Sequence, residues 1–227
     1  MLGLPDGITA CLFDLDGVLT KTAVVHERAW KVMFDEFLGD RGTFEESDYN
    51  DYVDGKPRED GIRDFLQSRG ISISEDEVHT LSERKNDLVL KLIHDEGVEA
   101  YAGSVAYLKA ARDAGLRRAV VSSSHNCEDV LRVAGLTEYL EERVDGHVID
   151  ALGLRGKPEP DPFLEGARRL GVRPDQAAVF EDALSGVEAG HDGKFGAVVG
   201  VNRGDHRDIL LRHGADVVVD DLSELLL

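Results

Sequence analysis

Cysteine is nearly absent from this sequence: Cys11 and Cys127 are the only two. They lack metal-ligand spacing, which excludes a disulfide scaffold and a thiolate zinc site. Cys11 lies in an apolar run and reads as buried filler. Long hydrophobic runs are missing as well. Stretches such as Gly196–Val201 and Val217–Val219 fall far short of the roughly 18 to 20 apolar residues of a membrane-spanning helix. The first residues, Met-Leu-Gly-Leu-Pro-Asp, carry neither a basic region nor a signal-peptide core, so a cytoplasmic location is expected. Basic charge is scarce, with 26 Lys and Arg against 45 Asp and Glu and a formal net charge of −19. A field of that sign argues against nucleic acid or an anionic membrane as a partner. A small phosphorylated substrate stays compatible if a few basic residues gather at one site. Among assemblies, a monomer is the default expectation.

What is present is an ordinary globular composition, 42% hydrophobic over 227 residues, enough for one large domain or one domain plus a smaller one. Ile8–Phe13 is apolar and runs into Asp14-Leu15-Asp16-Gly17, which predicts a buried strand ending in a loop. From Val24 to about Gly97 the spacing is helical: Ala29, Val32, Met33, Phe34 and Phe37, then Ile62, Phe65 and Leu66, then Val78, Leu81, Leu88, Val89, Leu92 and Ile93. After Tyr101 the pattern alternates. Helices are predicted at Val105–Ala114, Glu128–Ala134, Pro162–Leu170, Gly186–His191 and Arg207–Arg212. Strands are predicted at Arg118–Val121, Ala177–Phe180, Ala197–Val201 and Asp216–Val219. Alternation of this kind means an α/β fold with a parallel sheet. The expected organisation is a Rossmann-like core, residues 1–20 and 98–227, with a small helical domain, residues 21–97, inserted after the first strand.

Ligands of open parallel sheets bind at the carboxyl ends of the strands. Three predicted strand ends carry polar groups: Asp14 with Asp16, Ser122 through Asn126, and Glu181 with Asp182. Lys157 falls between two of them in sequence. Two acidic clusters at neighbouring strand ends suit a hard cation, and a lysine with hydroxyls nearby suits a phosphate. Taken alone, Asp-x-Asp-Gly also reads as a turn, Ser122-Ser123-Ser124 as a solvated loop and Lys157-Pro158 as another turn. Only their common position at strand ends favours chemistry.

Phe13-Asp14-Leu15-Asp16-Gly17-Val18-Leu19, Ser122, Lys157 and Glu181-Asp182 resemble, in order and spacing, the four motifs of the haloacid dehalogenase superfamily. The resemblance covers essentially the whole chain. It implies a phosphoryl-transfer enzyme in which Asp14 is the nucleophile and Asp16 the general acid/base. Mg2+ would be held by Asp14, Asp16, Glu181 and Asp182, with the charge completed by Lys157 and the transferring phosphate bound by Ser122.

Further segments are similar to the β-phosphoglucomutase subfamily. They are Thr22-Ala23, His26, Ala29-Trp30-Lys31, Gly55-Lys56-Pro57-Arg58-Glu59-Asp60, Arg84-Lys85-Asn86-Asp87 and Ser122 to Asn126. That similarity implies a cap closing over the site and a small phosphorylated sugar as substrate. Arg58, Ser124, His125 and Asn126 would bind the second phosphate of a sugar bisphosphate, and Lys85 would reach the sugar. Thr22 and His26 would couple closure to Asp16, and Trp30 would pack near the hinge. Read without the resemblance, Arg58 is also a solvated helix start, Lys85 part of a solvated charged face, His26 a packed histidine and Trp30 a core residue. His125 departs from the lysine common at its position, and Lys21, Ala183 and Leu184 depart from the pattern too. The implied reaction interconverts β-glucose 1-phosphate and glucose 6-phosphate. A Mg2+-dependent sugar-phosphate phosphatase is the alternative, and a non-catalytic phosphosugar binder a third reading.

Overall fold

A computed structural model describes residues 2–204 and 206–226. The chain opens with β1 (Ala10–Phe13), followed by α1 (Ala23–Leu38), α2 (Glu46–Asp48), α3 (Arg58–Ser68) and α4 (Glu75–Glu96). Alternation then begins with α5 (Ala102–Asp113), β2 (Arg117–Val121), α6 (Cys127–Val133), β3 (Glu142–Val144), α7 (Gly146–Leu152) and α8 (Asp161–Leu170). It ends with β4 (Ala177–Glu181), α9 (Leu184–Asp192), β5 (Ala197–Val201), α10 (Arg207–Arg212) and β6 (Val217–Val219). All strand pairs are parallel, in the order β3-β2-β1-β4-β5-β6, so the fold is α/β and Rossmann-like.

The strands form because both faces of the sheet are covered, which is why they read as continuous apolar runs rather than alternating ones. Cys11, Phe13, Val120 and Phe180 pack into one cluster on one face; Leu12, Ala119, Val121 and Val179 pack into a second on the other. Phe13 stacks on Phe180 at 4.6 Å and meets Tyr107 edge-on at 6.2 Å. The register sets Phe13 beside both Val120 and Phe180. One residue further, Asp14, Val121 and Glu181 therefore leave the sheet at one level.

β3 and α7 have no counterpart in the sequence patterning. β3 is a three-residue edge strand, Glu-Arg-Val, with no apolar run to betray it. Other boundaries move by a residue or two: β1 begins at Ala10 rather than Ile8, and α9 at Leu184 rather than Gly186.

Between Ala23 and Glu96 every regular element is helical among the described residues. This stretch has its own apolar cluster, centred on Phe34, which lies 5.3 Å from Trp30, 5.0 Å from Phe44 and 4.3 Å from Phe65 between ring centres. Truncating a phenylalanine buried in this way costs about 3 to 5 kcal/mol. The start of α4 is fixed by Ser74 and Glu77, each capping the other's backbone N–H. The stretch leaves and rejoins the sheet along two adjacent segments. The Lys21 N–H donates to the Glu99 carbonyl at 2.8 Å and the Tyr101 N–H to Leu19 at 3.0 Å. No helix among the described residues is long and apolar enough to cross a membrane.

Candidate active site

The strand ends bring four carboxylates and one lysine together. Asp14 follows β1, and its N–H is held by the Phe180 carbonyl at 2.9 Å. Lys157 is fully buried, and its ammonium uses its donors on Asp14 Oδ1 at 2.6 Å, Glu181 Oε1 at 2.7 Å and the Val121 carbonyl at 3.1 Å. The other Glu181 oxygen accepts the Ala183 N–H at 2.8 Å. Burial alone would strip the proton from Lys157, but Asp14 and Glu181 outweigh it and hold the ammonium above the usual lysine range.

One ammonium does not balance this group. Burial pushes the Asp14 carboxyl well above the usual carboxylate range; Lys157 opposes the shift, while Glu181 and Asp16 add to it. Burial likewise raises Asp182, reinforced by Asp54, Glu181 and Asp14. Oxygens of Asp14, Glu181 and Asp182 lie within 4.8 Å of one another. Crowded, desolvated, all-oxygen donors of this kind fit a hard dication, whose charge would relieve the repulsion. Asp182 is the carboxylate left without a protein hydrogen bond among the described residues, whereas both Glu181 oxygens are committed. Room for Asp182 comes from Gly17: at φ +86° it is already in glycine's territory, and a Cβ there would sit 1.7 Å from Asp182 Oδ2.

Asp16 has different surroundings. Its Oδ1 accepts the Thr22 hydroxyl, and Thr22 is in turn 2.7 Å from the Thr20 hydroxyl. His26 Nε2 lies 3.5 Å from the same Oδ1. His26 Nδ1 is 2.8 Å from Lys85 Nζ. A lysine ammonium only donates, so Nδ1 accepts and the ring's N–H is left at Nε2, facing Asp16. Burial, then Lys85, lowers His26 to about 4, which keeps the ring neutral. Burial, then Arg58, lowers Lys85 to about 7.

The loop after β2 is folded by its own hydroxyls. Ser122 Oγ accepts the Ser124 N–H and Ser124 Oγ accepts the Asn126 N–H, both at 3.1 Å. Facing it from the helical stretch, Arg58 donates to the Ser82 carbonyl at 3.0 Å and to Asn86 Oδ1 at 3.1 Å. Asn126 reaches the same Asn86 oxygen at 3.0 Å. Two more bonds close the gap: Ser123 Oγ donates to the Gly55 carbonyl and Ser185 Oγ to the Asp54 carbonyl, each at 2.7 Å. Gly55, at φ +71°, presses directly on the sheet side, where a Cβ would meet Ser185 Oγ at 2.5 Å.

One cavity of about 60 Å3 therefore collects Asp14, Asp16, Asp182, Ser122, Ser124 and Asn126 from the sheet side, and His26, Trp30, Arg58 and Lys85 from the helical side. Thr22 stands behind Asp16, while Glu181 and Lys157 lie buried beneath Asp14. Trp30 is buried, and its ring carries Lys85 Nζ at 4.8 Å. His125 is the exception: it faces a neighbouring groove, bonded to Asp150 Oδ2 at 2.7 Å and packed edge-on against His147. Cys127, beside this loop, is buried with its thiol pushed far up by desolvation, so it is inert packing.

Polar cavity residues to which sequence reasoning gave no role include Tyr49, Asp54, Lys56 and Asn86. Burial raises the Asp54 carboxyl to about 7, with the Tyr49 hydroxyl opposing the shift. For Asn86 no signal set it apart from its charged neighbours. Asp54 is one half of an Asp-Gly pair, ordinarily read as a turn.

Comparison with known proteins places this geometry. The profile of a family described as haloacid dehalogenase-like hydrolase matches residues 8–193. The chain is 51% identical to the β-phosphoglucomutase of Mycobacterium bovis, over all of this chain and 94% of that protein. It is 32% identical to the β-phosphoglucomutase of Bacillus subtilis, over 96% of this chain and 92% of the relative. Among solved structures, a β-phosphoglucomutase from Clostridium difficile is similar, with a TM-score of 0.79 and 27% identity over 96% of this chain and 93% of that one.

Proposed function

Because the chain belongs to the haloacid dehalogenase-like hydrolase family and is a phosphoryl-transfer enzyme, we propose that it is a β-phosphoglucomutase, interconverting β-glucose 1-phosphate and glucose 6-phosphate through a sugar bisphosphate. The observation that carries this reading is a single cavity with a phosphoryl-accepting carboxylate, Asp14, on one wall and a second anion grip, Arg58, on the other. A hydrolase needs only the first. A mutase needs both, because its bisphosphate must be held by either phosphate in turn.

In this account Asp14 attacks the phosphorus in line. The sugar oxygen leaves, taking a proton from Asp16, and the phosphoryl group remains as an acyl-phosphate on Asp14. Asp16 then deprotonates the free hydroxyl of a bound β-glucose 1-phosphate, which takes the phosphoryl group from Asp14 and becomes the bisphosphate. Thr22 and the His26 N–H hold the Asp16 carboxylate for both proton transfers. Lys157 stays charged beneath Asp14, and the Ser122 hydroxyl binds the group in flight. Arg58, Ser124 and Asn126 bind the resting phosphate, and Lys85 faces the sugar. Asp14, Asp182 and the main chain of Asp16 would hold Mg2+, with Glu181 fixing Lys157 behind them. The ion would supply the charge compensation that brings a carboxylate and a phosphate together.

Residues 21–97 act as the cap of this enzyme, and residues 1–20 with 98–227 as its core. Pockets that hold ligands of this class span about 300 to 1,000 Å3. A cavity of about 60 Å3 does not admit a sugar phosphate, so the contacts at Gly55, Asp54 and Asn86 belong to a closed state that opens for substrate. Closure keeps water from the acyl-phosphate.

The test is direct. With Mg2+, β-glucose 1-phosphate and a trace of β-glucose 1,6-bisphosphate, glucose 6-phosphate should accumulate far faster than free phosphate. Rapid phosphate release with no isomerisation of any hexose 1-phosphate would replace this reading with a sugar phosphatase.

A further inference from the structure

Outside the residues assigned above, one side chain touches the catalytic loop and the base of the insertion at once. Arg203 follows β5. Its Nε donates to the Gly17 carbonyl, and its Nη1 donates to the Asp220 carbonyl at 3.0 Å. Its guanidinium carbon lies over Tyr101, 3.6 Å from the ring centre. The remaining Nη2 is buried and has no partner, the one such side-chain atom among the described residues. Buried polar atoms are almost always paired, and an exception needs a physical reason.

The contacts of the other two nitrogens show what holds the group there. The Gly17 α-carbon is the surface against which Asp182 rests, closely enough that no side chain fits between them. Arg203 thus grips the peptide that lies against the unbonded carboxylate of the acidic cluster. Tyr101 supplies the second half of the arrangement. It sits where the insertion rejoins the sheet, with its N–H on the Leu19 carbonyl, beside the Thr20–Ala100 bridge. A planar, rigid guanidinium can hold a carbonyl and stack on a ring at the same time; a lysine cannot.

We infer that Arg203 is a positioning residue, which fixes Gly17 against Asp182 and ties that contact to the returning segment of the insertion through Tyr101. This rests on the reading of Asp14 and Asp182 as Mg2+ ligands. Arg203 touches no reacting atom in this account. It sets where the carboxylates stand, and it links their placement to the segment about which the insertion moves.

The sign of one change separates positioning from mere proximity. A bystander cation repels a nearby dication, so Arg203→Met would tighten Mg2+ binding and Arg203→Lys would leave it unchanged. A positioning residue predicts the opposite: both variants weaken Mg2+ binding about tenfold or more, the usual cost of removing an outer-shell support. Calorimetric titration of the whole enzyme with Mg2+ alone, without substrate, reads this directly. Tyr101→Leu should weaken binding less, because the Gly17 hydrogen bond survives. Thermal melts show which variants are folded, and Arg203→Lys decides the matter if the methionine variant is not. Wild-type enzyme that binds no Mg2+ would defeat the metal reading itself. Wild-type binding that is matched or exceeded by both Arg203 variants would overturn the role of Arg203 and leave the metal reading intact.

Discussion

The two walls of the cavity are built on opposite electrostatic plans. On the sheet side, charges of both signs are buried in contact: Lys157 is fully enclosed and bonded to Asp14, Glu181 and a carbonyl. On the helical side, burial lowers the proton affinity of both Arg58 and Lys85, and the Arg58 charge lowers Lys85 further. Arg58 rests on two neutral acceptors, Ser82 and Asn86, and Lys85 on a neutral histidine. Lys157, bonded on every side, is a fixed part of the sheet wall, whereas Arg58 and Lys85 make no ion pair in contact among the described residues and leave their charge for an anionic ligand. In the proposed account the sheet wall does chemistry and the helical wall recognises. Asp54 cuts across this division, since it brings a carboxyl at about 7 into the cavity from the helical side.

The comparison breaks most visibly at Arg58. Arg58→Ala should cut mutase turnover by roughly tenfold to a hundredfold or more, the loss of charge-assisted contacts worth about 1.5 to 3 kcal/mol each. Phosphorylation of Asp14 by a small donor such as acetyl phosphate, followed in parallel, should change less than about threefold. Equal losses in both assays would mean that Arg58 serves the chemistry, and the division of labour would fall.

A smaller effect sharpens the picture of Lys85. Its folded pKa, about 7, lies below the usual lysine value of 10.5. Between those values the unfolded chain binds the proton and the folded one does not, so this group makes stability rise with pH across that window. Below pH 7 both states are charged, and the full desolvation cost is felt. Lys85→Met should therefore raise stability most below pH 7 and flatten its rise from 7 to 10.5, as read in urea melts. An unchanged slope would mean that Lys85 keeps its proton in the free enzyme, with a neighbouring anion supplied by the protein.

The sheet wall was far more legible in the sequence than the helical wall. Strands covered on both faces leave apolar runs, and a carboxylate loop directly after such a run, as at Asp14, declares its position. β3 escaped because an edge strand of Glu-Arg-Val carries no such run, and α7 followed it out of view. On the helical side, Lys85 looked like one charge among Glu83, Arg84 and Asp87, three residues on the solvent side of the helix. The signal was there in a stripe: Val78, Ser82, Lys85 and Val89 fall at helical spacing and are the buried face of α4. His125 was read with its serine neighbours, but its ring is drawn away by Asp150, contributed by a helix that the patterning did not show. Arg203 was invisible for a different reason. Its partners Gly17, Tyr101 and Asp220 are scattered along the chain, and its three contacts are to two main-chain carbonyls and an aromatic face, which leave no pattern in the sequence.

The central claim is that the phosphoryl group rests on Asp14 and then passes to a sugar. Enzyme labelled by a small phosphoryl donor in the presence of Mg2+, then quenched in acid and fragmented, should carry a single phosphoryl adduct on the peptide containing Asp14. A chase with glucose 6-phosphate before the quench should remove the label and return it as sugar bisphosphate, while Asp14→Asn should never be labelled. Label on any other residue, or label on Asp14 that a sugar phosphate does not discharge faster than water does, would contradict the account.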